Sequence, residues 1–149
     1  MASIQQFEEI VAWQEARKLV KMIYTVTQQA GFRHDRVLAE QAQRAAVSVM
    51  SNIAEGFDAD SRVEFGRFLG YARRSASEIQ SLLYVALDQQ YVDQEAFGQL
   101  YDHAEKVRRM VTAFMTYLRQ TPTRMKRFTR PYAGTSHALT RSRVHAITQ

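Results

Sequence analysis

The chain has 149 residues, 46% hydrophobic and 23% charged, a composition that fits one globular domain and excludes a chain disordered throughout. It contains no cysteine, so disulfides, cysteine-ligated metal sites and thiol nucleophiles are excluded. Its two prolines and six glycines are too few for the turns of an all-β domain, and its net charge of +5 favours a polyanionic partner.

Four segments of the chain have apolar residues at steps of three and four positions, the period of an amphipathic helix. The first covers residues 4–30, and Gly31 is its expected stop. The second covers residues 35–55, with Asp35 as its N-cap and Gly56 in a left-handed position at its C-terminus.

The third and fourth segments have clear starts. The sequence Ser61-Arg62-Val63-Glu64 is a capping box, in which the serine and the glutamate satisfy backbone N–H groups that the helix leaves unpaired. The fourth helix is expected to start at Asp93 and to end before Pro122. Connections of about four to six residues are typical of antiparallel helical neighbours. We therefore predict an all-α fold, an antiparallel up-and-down four-helix bundle over residues 1–120.

The predicted helices differ in the size of their residues. Helices two and three carry small residues where they would meet, which favours a close approach of their backbones: Ala42, Ala45, Ala46 and Ser48 on one, and Ala72, Ser75, Ala76 and Ser77 on the other. Helices one and four carry a surplus of large residues: Met22, Tyr24, Phe97, Tyr101, Phe114, Met115 and Tyr117. This surplus favours self-association over the alternative, a wide core face with scattered surface aromatics.

The sequence lacks the motifs of common catalytic and metal sites. No histidine follows a glutamate by three positions, so the Glu-x-x-His pairs of di-iron bundles are absent, and His34 and His103 are expected to be exposed. No phosphate-binding glycine loop and no nucleophile elbow occurs. Between helices two and three, capping and solvated charge are favoured over acid–base chemistry for Glu55, Asp58, Asp60 and Glu64. We expect no enzyme activity, no metal and no cofactor.

Polar residues on helix two form a second pattern. They recur at steps of four, four and three positions, so they share one face of the helix: Arg44, Ser48, Asn52 and Glu55. Glu78 on helix three is an available partner for Arg44. We predict a structural polar network of these five residues, with a ligand site as the alternative.

The basic charge of the protein is concentrated at its C-terminal end. Residues 1–120 hold 14 Lys and Arg against 15 Asp and Glu, whereas residues 121–149 hold six cations and no acid. The six cations are Arg124, Lys126, Arg127, Arg130, Arg141 and Arg143, and Phe128 and Tyr132 lie among them. We expect residues 121–149 to be a basic, extended tail, disordered or ordered on binding.

The absence of targeting and membrane-spanning patterns in the sequence indicates the expected cellular compartment. Charged residues occur within its first ten positions, no apolar signal core follows, and no run approaches the roughly 18 apolar residues of a membrane span. The tail lacks a strong apolar face for lying on a membrane. We expect a cytoplasmic protein with no membrane partner.

The segment from Gln41 to Gly56, QAQRAAVSVMSNIAEG, resembles the Q-x-x-R-A-A-x-S-(V/I)-x-x-N-I-A-E-G signature of a family of four-helix bundles. That family includes the 23S rRNA intervening-sequence proteins and the accessory variability determinants of diversity-generating retroelements. Further matches are Trp13-Gln14-Glu15-Ala16 and Ile23-Tyr24 in helix one, and Glu64-Phe65, Phe68-Leu69, Ala72, Ser75 and Glu78-Ile79 in helix three. The resemblance covers about residues 7–118.

The resemblance implies a homopentameric ring of bundles with no enzymatic activity of its own. In retroelement members, the ring binds a reverse transcriptase and its template RNA. The chain departs from the family in its acidic loop Asp58-Ala59-Asp60, where many relatives are basic or polar, and in Arg73-Arg74, which replaces a small residue. These departures bear on the nucleic-acid surface and leave the expected fold unchanged.

We accordingly predict a non-catalytic accessory protein that binds RNA, with DNA as a competitor, and assists a reverse transcriptase as a homo-oligomeric ring. The arginines expected at the nucleic acid are the tail cations together with Arg73, Arg74, Arg108 and Arg109. The alternative is a structural protein encoded by a 23S rRNA intervening sequence, without a committed nucleic-acid role.

Overall fold

The computed structural model describes residues 3–120 and places them in four α-helices: α1 (Val11–Thr27), α2 (Arg36–Phe57), α3 (Arg62–Asp88) and α4 (Gln94–Gln120). Two short 3-10 turns, Phe7–Glu9 and Phe32–His34, precede α1 and α2. No strand occurs within residues 3–120. The predicted all-α class is confirmed, while the tail and its six cations lie outside the described residues.

Each helix packs against two others, so the four helices enclose one core. The contacts join α1 to α2, α2 to α3, α3 to α4, and α4 back to α1. Between α2 and α3, Gln41 contacts Glu78 and Ser48 contacts Ser75. Because a later residue of α2 pairs with an earlier residue of α3, the two helices run antiparallel. The predicted four-helix bundle is confirmed. None of the described helices is long and apolar enough to cross a membrane.

The core combines large side chains from all four helices with alanines on the facing sides of α2 and α3. Phe65, Leu19 and Ile23 are among its largest fully buried side chains. The alanines bring the backbones of α2 and α3 close together, as predicted, and the fully or almost fully buried ones are Ala42, Ala45, Ala46, Ala72 and Ala76. Ser77 instead lies on the surface and hydrogen-bonds its own helix.

The N-caps predicted for α2 and α3 are confirmed, and Asp93 caps α4 at its predicted start. A side-chain oxygen of Asp35 accepts from the Leu38 N–H at 3.1 Å, and Ser61 Oγ accepts from the Glu64 N–H at 3.1 Å. Asp93 Oδ1 likewise accepts from the Ala96 N–H at 2.8 Å at the start of α4. Each cap satisfies a backbone donor that has no partner within its helix.

The first helix is shorter at both ends than predicted. The extended backbone of Ile10 (ψ 116°) separates the first 3-10 turn from α1, which begins at Val11. At the other end, α1 stops at Thr27 because the chain turns to bury Phe32 in the core. Gly31 adopts a right-handed conformation outside the helix, so it does not act as the predicted stop.

The prediction for Gly56 is wrong. This residue lies inside α2, which continues to Phe57, and no glycine among residues 3–120 has a positive φ. A Cβ at position 56 would lie 2.6 Å from Cδ2 of Phe65 and 2.9 Å from Cβ of Phe68. Glycine is therefore required for the close approach of α3, and not for a left-handed turn.

A residue in the left-handed conformation is found instead at the C-terminus of α3. Gln90 has φ 61°, and it is the one non-glycine residue with positive φ in the described part of the chain. The Tyr91 N–H donates to the Ala86 carbonyl and the Gln90 N–H to the Leu87 carbonyl, the two bonds of a Schellman motif. A glutamine thus holds a position where glycine is the usual choice.

Candidate nucleic-acid interface

The polar residues of α2 join α2 to α3. Ser48 Oγ lies 2.9 Å from Ser75 Oγ, and Asn52 Nδ2 donates to the carbonyl and the hydroxyl of Ser48 at 2.8 and 3.0 Å. Two helical turns before Ser48 on α2, Gln41 Nε2 donates to Glu78 Oε1 of α3 at 3.3 Å. The face that carries the resemblance is therefore a hydrogen-bonded seam between two helices.

The predicted pairing of Arg44 with Glu78 is not formed. Arg44 is exposed and lies in a shallow surface groove that it shares with Tyr24 of α1 and Val47. Gln41, one turn earlier, contacts Glu78 instead. Glu55 is also exposed, and no ion pair within residues 3–120 involves Arg44 or Glu55. Of the five predicted residues, Ser48 and Asn52 are hydrogen-bonded to each other, whereas Glu78 forms a separate bond with Gln41.

The two adjacent arginines of α3 point to different sides of the bundle. Arg74 stacks over Tyr71, with its Cζ 6.0 Å from the ring centroid, and lies one turn before Glu78 on the side of α2. Arg73 lies two turns before Gln80, which contacts Glu105 of α4, so Arg73 is half-buried on the side of α4. The structure therefore does not bring the predicted pair together into one basic patch.

The predicted arginines of α4 are both paired with the carboxylate of Glu105. Its carboxylate accepts two bonds from Arg108 at 2.8 Å and one from Arg109 at 2.9 Å. Gln80 adds a fourth bond at 3.0 Å. The Arg108 hydrogen bonds, with those of Arg109 and Gln80, lower the pKa of Glu105 to about 2. Arg108 and Arg109 therefore share one carboxylate partner, with which an RNA phosphate would have to compete.

A charged cluster between α1 and α4 had no counterpart in the sequence predictions. Glu15 is only 7% exposed, and its carboxylate lies 2.9 Å from Lys18 Nζ, 3.3 Å from Lys106 Nζ and 3.4 Å from His103 Nε2. Its pKa is lowered, chiefly by the Lys18 hydrogen bond. His103 is half-buried, with Nε2 3.0 Å from the Glu15 carbonyl oxygen, so its predicted exposure is wrong.

The structure distributes the surplus large residues between core and surface. Met115 is buried and Phe97 half-buried, whereas Tyr24 and Tyr117 are exposed. A further aromatic group joins α3 to α4, where the ring centroid of Tyr84 lies 5.0 Å from that of Phe97. Tyr84 is 52% exposed. Self-association of the bundle stays a prediction.

The acidic segment between α2 and α3 faces solvent. Glu55, Asp58, Asp60 and Glu64 are all exposed. Exposed carboxylates of this kind lack the burial or the coupled partner that prepares a group for acid–base catalysis. Among residues 3–120, no group of three or more His, Asp and Glu side chains is arranged to hold a metal ion.

Comparisons with known proteins agree with this architecture. The family model of the 23S rRNA-intervening sequence protein matches residues 8–113. A crystal structure from Bacteroides thetaiotaomicron VPI-5482, described as a protein of unknown function from the S23 ribosomal protein family, superposes with a TM-score of 0.66. It is 19% identical, and the match covers 71% of this chain and 96% of that one, a likeness that shows the fold. No curated protein matches. Because the family model spans well over half of the sequence, the chain belongs to the 23S rRNA-intervening sequence protein family.

Proposed function

We propose that this protein is a non-catalytic RNA-binding accessory protein whose main RNA-binding element is the basic segment 121–149. The main support is the uneven distribution of charge along the chain. Residues 1–120 have one more Asp or Glu than Lys or Arg, whereas residues 121–149 have six Lys and Arg and no acid. RNA carries a negative charge on every phosphate, so long-range attraction comes from the segment with the net positive charge.

The residues of this segment suit RNA in a second way. Arginine binds phosphate bidentately and stacks on bases, and Phe128 and Tyr132 add aromatic rings between the cations. The α4 arginines are weaker candidates, because Glu105 already engages Arg108 and Arg109 at 2.8–2.9 Å. The tail cations are therefore better candidates for RNA contacts than the predicted arginines of α4.

The proposal includes assembly and a protein partner. The family resemblance supports a homopentameric ring that assists the reverse transcriptase of a diversity-generating retroelement. A ring would present several basic segments to one RNA and so raise their effective concentration. Light scattering tests the ring: five copies of the 17.2 kDa chain give a particle of about 86 kDa, and a monomer at all micromolar concentrations would contradict it.

Truncation after Gln120 tests the RNA-binding proposal. The shortened protein retains all four helices, so it is expected to keep the helical circular dichroism and the assembly of the full chain. Its affinity for single-stranded RNA should fall. If one tail neutralises four to six phosphates, the slope of log affinity against log salt should flatten by about 3–4 units, since each phosphate contributes about −0.7. Equal affinities and slopes for both proteins would refute the tail as the binding element.

A second candidate function follows from the family match itself. The matching family is described by the 23S rRNA intervening sequence, which supports a structural protein encoded there, without a committed role in nucleic-acid binding. The position of the gene separates the two candidates. A neighbouring reverse-transcriptase gene supports the accessory protein, and a location inside a 23S rRNA gene supports the structural protein.

A further inference from the structure

Three residues form a cationic and aromatic stripe along the exposed side of α3. Arg67, Tyr71 and Arg74 follow one another at steps of four and three positions, so they share one face of the helix. Tyr71 is 42% exposed, and the Arg74 guanidinium lies 6.0 Å from the centroid of its ring. The Phe68 ring packs perpendicular to the Tyr71 ring, with centroids 6.1 Å apart and an interplanar angle of 88°. The phenol ring is thus held against a half-buried neighbour while part of it faces solvent.

The two arginines of the stripe keep their positive charge available. Arg67 and Arg74 are exposed, and neither takes part in an ion pair within the described residues. Two carboxylates lie on the same face of α3, that of Glu64 one turn before Arg67 and that of Glu78 one turn after Arg74, and neither forms an ion pair with these arginines. In contrast, the Glu105 carboxylate forms ion pairs with both Arg108 and Arg109 of α4. An anionic partner that approaches this face can therefore bind Arg67 and Arg74 without displacing a carboxylate.

The stripe differs from the other aromatic surfaces of the bundle. Arg17 also lies 6.0 Å from an aromatic ring, that of Trp13, but Trp13 is only 8% exposed and presents no free ring to a ligand. Tyr84 is more exposed than Tyr71, yet its ring packs against two others and has no guanidinium over it in the described structure. Tyr71 combines an accessible ring with an arginine beside it.

We propose that Arg67, Tyr71 and Arg74 form a stacking platform for an unpaired base of single-stranded RNA, with the guanidinium groups on the flanking phosphates. This inference rests on the proposed function and names a surface of the bundle for the RNA that the tail attracts. A single strand is the ligand because its bases can turn outward and stack on tyrosine and arginine, whereas the bases of a duplex stay stacked on one another. The arginine positions lie seven residues, about 10 Å, apart along the helix axis, and so reach phosphates on either side of the stacked base.

The test measures the affinity of the full-length protein for a fluorescent, unstructured single-stranded RNA and for a duplex of the same length, at several salt concentrations. Tyr71→Leu should weaken binding of the single strand about tenfold or more, without changing the salt slope, because it removes a ring and no charge. Arg74→Ala should weaken binding and also flatten the slope by about 0.7. Arg17→Ala is the matched control: it removes one exposed arginine from a ring that is covered, and it should bind RNA like the native protein.

Aromatic replacements of Tyr71 distinguish the loss of stacking from misfolding of the variant. Tyr71→Phe and Tyr71→Trp keep a ring on the same support and should restore single-strand affinity to the native level. If Tyr71→Phe binds as weakly as Tyr71→Leu, or if Tyr71→Leu weakens single strand and duplex equally, stacking is overturned. If Tyr71→Leu leaves RNA affinity unchanged and instead abolishes self-association in light scattering, the face is a subunit contact and the platform is refuted.

The platform and the proposed function fail in different ways. Native protein that binds no RNA at low salt refutes the proposed function and the platform with it. Native protein that binds RNA, but with the same affinity as Tyr71→Leu, refutes the platform alone and leaves the tail as the binding element.

Discussion

The hydroxyl oxygens of Ser48 and Ser75 lie 2.9 Å apart, so one hydrogen bond joins α2 to α3 where small residues let the helices approach closely. Ser48 Oγ also accepts from Asn52 Nδ2 at 3.0 Å, whereas Ser75 Oγ has no second hydrogen-bond partner among the described residues. The two serines are therefore unequal members of one network.

This inequality predicts the stability of serine variants. Ser48→Ala leaves two polar groups without their shared partner, and it should cost about 1–2 kcal/mol of unfolding free energy, more than the roughly 1 kcal/mol expected for Ser75→Ala. The double variant should cost less than the sum, with a coupling energy of about 0.5–1.5 kcal/mol. Urea midpoints of the three variants measure these values, and strictly additive costs would contradict the hydrogen bond.

Gly56→Ala should destabilise the protein by about 1–3 kcal/mol, because the added methyl group would meet Phe65 at 2.6 Å and the Cβ of Phe68 at 2.9 Å. Gly66→Ala is a matched control on α3, where a Cβ has nothing within 4 Å. The control should stabilise by about 0.5–1 kcal/mol, since alanine favours the helix over glycine. Opposite shifts in thermal midpoint are the expected result. A stabilising Gly56→Ala would show that α3 can move away freely.

Gln90→Gly should stabilise the protein by about 1 kcal/mol. The φ of 61° at the end of α3 is unfavourable for a residue with a Cβ, and glycine adopts it without that cost. The side chain of Gln90 is exposed, so little packing is lost. Gln89→Gly is the control one residue earlier: φ there is −80°, and the substitution should not stabilise. Equal effects of both changes on the urea midpoint would argue against the left-handed conformation.

The Glu105 carboxylate should make stability depend on pH. Its pKa is lowered from 4.5 to about 2, chiefly by the Arg108 hydrogen bonds, so its stabilising contribution is complete above about pH 4.5 and is lost as the pH falls towards 2. Because the side chain is 22% exposed, we expect a contribution of about 1–2 kcal/mol after screening by solvent.

The variant Glu105→Gln isolates this contribution. It should be less stable than the native protein at pH 7, and the difference should shrink as the pH falls from about 5 to 2. Glu40→Gln, at an exposed position without an ion pair in the described structure, serves as the control and should show a much smaller difference. A difference for Glu105→Gln that is constant between pH 7 and 2 would contradict the assignment.

Local patterns in the sequence were sufficient to predict four helices and the N-caps of α2 and α3, but not the ends of α1. Apolar spacing depends on neighbours three and four positions away, and each capping side chain bonds a backbone group three positions ahead. The role of Gly56 could not be predicted in this way, because the reason for glycine is an approaching side chain of another helix. Gln90 escaped prediction because tertiary structure imposes a left-handed conformation that glutamine does not favour.

The candidate site was less predictable than the fold. Helical spacing placed Arg44 and Ser48 on one face, but it did not determine whether Arg44 or Gln41 would reach Glu78. The contact of Glu15 with His103 joins residues 88 positions apart, and no local pattern predicts such a pair. Arg73 and Arg74 were both expected at the nucleic acid, but a helix turns neighbouring side chains about 100° apart and so sends them to different sides.

The two polar ties of α1 have a consequence for how the bundle opens. Glu15, in its second turn, is tied to α4 through His103 and Lys106, whereas Thr27, its last residue, accepts a hydrogen bond from Gln43 of α2 at 2.9 Å. A helix tied to different neighbours at its two ends can detach from one while it stays on the other. In Glu15→Gln, backbone amides of residues 11–19 should therefore exchange with D2O faster than in the native protein, while amides near Thr27 keep their protection. The first half of α1 would then act as a separately opening unit, hinged on α2.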